Sequence, residues 1–205
     1  MTDPAWLRGL KTFGEKNLRC GLEVFAPQLP DLVSIVRQHP SIDFTIAVMG
    51  WPTDLDSEGH AHWRRHMSEL GKCGNTCASI SAIECIFGMD WNEEQIEPWI
   101  ASIIEAFGPA RCMFGSHLPI TSLSHGFDRL FEAYERIVDT LSAAERDAIF
   151  RTTALSWFRM GFAPLSTRLP DRFGILLHTR AVSEPGRLAS LRLPNGVQLL
   201  GRAAG

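Results

Sequence analysis

The chain has 205 residues, 45% of them hydrophobic and 21% charged, and a net charge of −3 at neutral pH. That is the composition of one substantial globular domain with a tail, and the weakly acidic balance excludes the basic footprint of a nucleic-acid-binding protein. No apolar run approaches the ~20 residues of a membrane helix, and Met1 to Trp6 lack the basic start of a secretory signal, so a cytoplasmic protein is expected.

Trp6, Leu7, Leu10 and Phe13 recur at helical spacing and predict a short helix over 4–16 that ends near Gly14. The apolar run Leu18 to Phe25, interrupted by Arg19 and Glu23, predicts a strand. Leu29, Leu32, Val33 and Val36 then mark an amphipathic helix that stops before His39-Pro40. A second strand-helix unit begins at Asp43 to Met49, apolar and β-branched as in a parallel sheet, and breaks at Gly50-Trp51-Pro52. Gly59 to Lys72 predicts a helix with Trp63, Met67 and Leu70 inward, and Thr76 to Ala82 a weak strand.

Asn92 to Gln95 has the pattern of a capping box. Ile96, Trp99, Ile100, Ile103, Ile104 and Phe107 form one long apolar face behind it, with Pro98 expected in the first turn or at a kink. Gly108-Pro109 stops that helix, and a strand follows from Arg111 to Phe114. Ser116 and His117 come directly after it, in the loop at a strand's carboxyl end where parallel α/β folds do their chemistry. Helices are expected over 127–140 and from the capping box Ser142 to Glu145 through Phe158. The five cysteines are an odd number, and Cys20 and Cys112 sit in apolar runs, which suits free thiols better than a disulfide framework. Cys73 and Cys77 have neither a Cys-x-x-Cys partner nor a neighbouring histidine to complete a ligand set.

Beyond Gly161 six arginines face only Asp171 and Glu184, with four prolines and no lysine. This predicts two regions: 1–160 as an α/β unit with about four parallel strands, and 161–205 as an irregular extension with a strand or two around Gly174–Thr179 and Val197–Leu200.

Gly21 to Pro30, His39-Pro40, Phe44 to Pro52, Trp63 with its helix, Phe107-Gly108-Pro109-Ala110-Arg111-Cys112-Met113-Phe114-Gly115-Ser116 and Leu141 to Phe158, in that order, resemble the lactonase-like branch of the amidohydrolase superfamily. The resemblance covers roughly 4–160 and implies the carboxyl-terminal half of a TIM-type (β/α)₈ barrel, with ligands at the carboxyl ends of strands. It implies ancestry among hydrolases of lactones or related C–O and C–N bonds, with a divalent metal in some relatives, and a truncated chain that is weakly active or inactive alone. The first-strand His-x-His of those relatives has no counterpart here, Val48 stands where a strand-end histidine is usual, and His117 stands where an aspartate or asparagine follows Gly-Ser.

His117 is the candidate catalytic residue, since imidazole titrates near neutrality, although no ionisable partner is recognisable beside it. Glu23, where relatives often show glutamine, and Ser116 are candidate substrate-binding residues, Glu23 being expected exposed or paired and Ser116 serving the turn. His60-Ala61-His62 spells His-x-His at a loop-to-helix junction, and His62 and His66 share a helix face as a solvated polar pair. His125 is expected at the surface and Arg111 in a structural ion pair. No metal site is assigned. Four parallel strands leave two open edges, so a homo-oligomer or a complementing barrel half is the expected partner, with a small molecule as substrate. A non-catalytic half-barrel acting as a scaffold is the alternative.

Overall fold

Four of the apolar runs become strands, and they pair in chain order. The computed structural model describes residues 3–160, 189–192 and 198–201. In it β1 (Arg19–Leu22), β2 (Asp43–Ile46), β3 (Thr76–Ile80) and β4 (Cys112–Phe114) form one parallel sheet of order β1-β2-β3-β4. Helix α1 (Pro4–Glu15) precedes the sheet, α2 (Leu29–Gln38) joins β1 to β2, and α3 (Ser57–Gly71) joins β2 to β3. Helices α4 (Ile83–Phe87) and α5 (Glu93–Phe107) join β3 to β4, and α6 (Gly126–Ile137), α7 (Ala143–Asp147) and α8 (Thr153–Trp157) follow. This is the α/β architecture with four parallel strands that the sequence predicts.

Paired residues of a parallel sheet share a face. Cys20, Phe44, Ile46, Ala78, Ile80 and Cys112 are on the face that packs with Leu32, Val36, Met67, Leu70, Ile100 and Ile103 of the helices in one apolar cluster. The opposite face carries Arg19, Asp43, Thr45, Cys77 and Met113. There Arg19 pairs with Asp43 at 3.1 Å, and Trp157 at the end of α8 donates its indole N–H to Thr45 Oγ1 at 2.7 Å beneath the Arg19 guanidinium.

Local chemistry sets the helix ends. Asn92 and Gln95 cap α5 reciprocally, as do Ser142 and Glu145 at α7. Pro98 is not in the first turn of α5 but in its second, and the helix continues through it. Pro98 and Glu94 are both exposed, so the carbonyl that the ring leaves unbonded is open to water. Gly71 is required where α3 meets α5: a Cβ there would lie 2.1 Å from the Ala106 carbonyl oxygen. Between α7 and α8 the backbone widens into a π turn, Ala148–Thr152.

Three details differ from the sequence-based expectation. Strand β3 ends at Ile80, because Ala82 turns left-handed and Ile83 begins α4, a helix the sequence reading lacked. The break after β2 comes earlier than Gly50, since Val48 and Met49 are already left-handed. Among the described residues Arg111 forms no ion pair. Its guanidinium donates to the carbonyls of Gly71 at 2.7 Å and of Cys73 at 2.9 Å, holding the end of α3 against the start of β4.

The chain divides into Met1–Gly161 and Phe162–Gly205. In the second unit β5 (Ala189–Arg192) pairs antiparallel with β6 (Gln198–Gly201), near the strand predicted at Val197–Leu200; the strand predicted around Gly174–Thr179 lies outside the described residues.

Arg111 ties the 71–76 segment to the start of β4 through several charged hydrogen bonds, so Arg111→Ala is expected to lower stability by about 2–3 kcal/mol. Arg111→Lys recovers little of that, since one ammonium cannot reproduce the planar fork; urea unfolding followed by far-UV circular dichroism measures both.

Candidate active site at the carboxyl ends of the strands

Left-handed backbone concentrates where the strands leave the sheet. Val48 (φ 50°), Met49 (φ 57°) and Trp51 (φ 29°) follow β2, Ala82 (φ 57°) follows β3 and His117 (φ 53°) follows β4. Such conformations cost side-chain-bearing residues about 1–3 kcal/mol each and persist where the surroundings fix them. Trp63, buried in α3, fixes the first group by donating its indole N–H to the Met49 carbonyl at 2.8 Å.

The turns after β3 and β4 bring two distant segments together. The Gly115 amide donates to the Ile80 carbonyl at 2.8 Å, and a Cβ on Gly115 would approach Ser81 Cβ to 3.0 Å, so the loop after β4 runs tight against the end of β3. Tyr134 supports it from α6, with its ring stacked on Phe114 at 4.0 Å and its hydroxyl 3.4 Å from the Gly115 carbonyl oxygen. Burial, and then the charge of Glu84, push the Tyr134 phenol well above its ordinary pKa, so it stays a neutral donor.

On this support His117 Nδ1 meets Glu84 Oε1 at 2.6 Å. The Glu84 side chain is fully buried and that of His117 one-third exposed. An ionised carboxylate only accepts, so Nδ1 carries the hydrogen and Nε2 keeps a lone pair. Glu84 Oε2 is buried with no hydrogen-bond partner among the described residues. Cys85 Sγ is exposed and 4.0 Å from the same Nδ1. Burial, then Glu84, then Glu23 push the Cys85 thiol up, so Glu23, exposed just past β1, acts on the same cluster. With Nδ1 committed to Glu84, His117 has no lone pair aimed at the thiol, and the arrangement is a carboxylate–imidazole pair rather than an activated cysteine.

His117 thus has the ionisable partner that the sequence did not reveal. Ser116 Oγ accepts from the Leu118 amide at 3.4 Å, within the turn. The His-x-His at 60–62 does not converge: His60 packs against Trp63 and Trp99 and meets Ser102 Oγ at 3.1 Å, whereas His62 is exposed beside His66. His125, exposed, reaches the Trp91 carbonyl through Nε2 at 2.9 Å. Cys77 is buried and its thiol is pushed up to about 12 by burial, and all five cysteines are free.

A model of the amidohydrolase family matches residues 5–160. The chain belongs to the amidohydrolase family. It is 29% identical over 164 residues to the L-fucono-1,5-lactonase of Burkholderia multivorans, covering 74% of this chain and 55% of that protein. It is 27% identical over 157 residues to the protein y4mH of Sinorhizobium fredii, covering 77% and 52%. Among solved structures, an amidohydrolase from Burkholderia multivorans with bound HEPES superposes with a TM-score of 0.72 at 27% identity, over 78% of this chain and 59% of that one. The chain spans little more than half the length of the relatives it matches, and its sheet is a partial TIM-type barrel.

The metal positions that the family resemblance points to are not rebuilt here. Val48 is apolar and buried, and no histidine precedes His39. The described residues do not fit that ligand set. Among the described residues no helix is long and apolar enough to cross a membrane.

Because the Cys85 thiol sits above its ordinary pKa, little thiolate is present at pH 8. Cys85 is expected to react with iodoacetamide more slowly than a small free thiol, with a rate that still rises above pH 9. Glu23→Gln removes one opposing charge and should speed the reaction; peptide mapping by mass spectrometry at several pH values reads the site and the rate.

Proposed function

We propose that this chain contributes the carboxyl-terminal half of a barrel that hydrolyses cyclic esters of the sugar-lactone kind, with His117 as general base and Glu84 as the residue that orients it. The observation that carries the reading is the buried Glu84 carboxylate on His117 Nδ1 at 2.6 Å, which leaves Nε2 free at the mouth of the strands. In this reading Nε2 takes a proton from water as the water oxygen bonds to the lactone carbonyl carbon. The ring C–O bond then breaks, and the same nitrogen returns the proton to the leaving alkoxide, giving the open hydroxy acid. Glu84 stabilises the imidazolium formed between these steps. The relatives named as L-fucono-1,5-lactonases support the substrate class.

General-base catalysis contributes roughly 10²–10⁴-fold, so His117→Ala should lower kcat by about that factor on a panel of five- and six-membered sugar lactones. Ring opening followed by pH indicator is the measurement, and turnover that survives the substitution removes His117 from the reaction.

A second reading follows from the sheet edges. Among the described residues β1 pairs only with β2 and β4 only with β3. Unpaired parallel edges recruit further strands, and we propose that this half-barrel closes by pairing with a second copy or with a chain that carries the other half. In its scaffold form the chain needs no turnover. Size-exclusion chromatography with light scattering is expected to show an oligomer, and a compact monomer without turnover would sink both forms of the proposal.

A further inference from the structure

We propose that Glu84, Cys85 and His117 bind one divalent transition-metal cation of borderline softness, such as Zn²⁺. A carboxylate oxygen, the thiol sulfur and Nδ1 lie within 4.8 Å of one another, with Sγ to Nδ1 at 4.0 Å and Nδ1 to Oε1 at 2.6 Å. Tetrahedral ligands held at about 2.0–2.3 Å from a cation stand roughly 3.3–3.6 Å apart, so side-chain movements of about an ångström complete the site.

A second observation points to a cation independently of this clustering. Glu84 Oε2 is sealed from solvent with no partner among the described residues, and an unsatisfied oxygen on a buried carboxylate is costly. A metal ion coordinated there supplies the missing partner and neutralises the charge together. The surroundings also favour positive charge, since Glu23 and Glu84 both oppose a bare thiolate at Cys85. One oxygen, one nitrogen and one sulfur donor select against Ca²⁺ and Mg²⁺, which take oxygen shells, and suit Zn²⁺ or Co²⁺. Cys85 is exposed and gives the entry path.

Binding balances with one proton released. The Cys85 S–H proton goes to solvent, the imidazole keeps its one proton as that proton moves from Nδ1 to Nε2, and Glu84 coordinates as the carboxylate. His117 stands at the position after Gly-Ser that the family resemblance points to, whereas Glu84 and Cys85, in α4 one turn beyond the end of β3, are donors that the resemblance does not imply. The site shares His117 with the hydrolytic reading but does not rest on it: a metal-bound His117 carries its proton on Nε2 and cannot act as the base, so the loaded and hydrolytic forms are alternatives, and a binding spectrum lets either fail alone.

The test is titration of the full 205-residue chain, reduced and freed of metal by chelator, with Co²⁺ alone. One equivalent should produce a thiolate-to-cobalt charge-transfer band in the near ultraviolet, with visible bands of tetrahedral intensity, and Zn²⁺ should displace both. Cys85→Ser should abolish the charge-transfer band, whereas Cys73→Ser, at the other accessible cysteine, should leave it intact. His117→Ala and Glu84→Gln should weaken binding at least about tenfold. Far-UV circular dichroism on each variant separates lost binding from lost fold, and the exposed Cys85→Ser keeps the test open where the buried Glu84→Gln fails to fold. Absence of the band in the parent chain, or its survival in Cys85→Ser, overturns the proposal.

Discussion

The register of β4 against β3 is the constraint on which the candidate site depends. Ile80 pairs with Phe114 and the Gly115 amide continues that pairing to the Ile80 carbonyl, so the two strands end level. Parallel pairing also sends both exits to the same side of the sheet. Glu84 and His117, 33 positions apart in the chain, become neighbours because both follow these level exits within a few residues. A slip of one residue would move the whole of β4 to the opposite face and separate them. Phe114 opposes such a slip, held between the rings of Tyr134 and Phe150.

Around that register the molecule accepts local costs. A buried carboxylate and several left-handed side-chain-bearing residues lie at one rim, and each would be unfavourable alone. The Glu84 charge is partly met by His117, and Trp63 and Tyr134 hold the surrounding loops through their polar tips while their rings fill the core. The opposite face of the sheet is different in kind: Arg19, Asp43, Thr45 and Trp157 satisfy one another there. Unmet polar capacity is therefore placed at the rim where barrel enzymes bind their substrates.

The strands and long helices were legible because their signals are periodic and local. Asn92 and Ser142 announce their helices through a residue three positions on, and both boxes close as expected. His117 was legible as a candidate because a polar residue directly after a buried strand is conspicuous. Its partner was not, since pairing across 33 residues depends on sheet register and no local pattern encodes it. Ile83-Glu84-Cys85-Ile86 did carry a signal, an acid within an apolar run, which demands either exposure or a partner. Arg111 was recognised as structural, but its carbonyl partners come from the end of α3, and a carbonyl has no sequence signature.

The π turn between α7 and α8 has a consequence for how the chain tolerates length changes. A π turn is an α-helix carrying one extra residue, and each residue of α-helix adds about 100° of rotation. The wider turn takes up that residue at nearly the rotation of an ordinary turn, whereas adding or removing a residue elsewhere in α7 or α8 would swing everything beyond it by about 100°. The Trp157 indole would then leave Thr45 and the guanidinium of Arg19, to which it is now fitted. The wide turn thus takes up a surplus residue while leaving the last helix meshed with the underside of the sheet, and indels elsewhere in this helix should be harder to accommodate than substitutions.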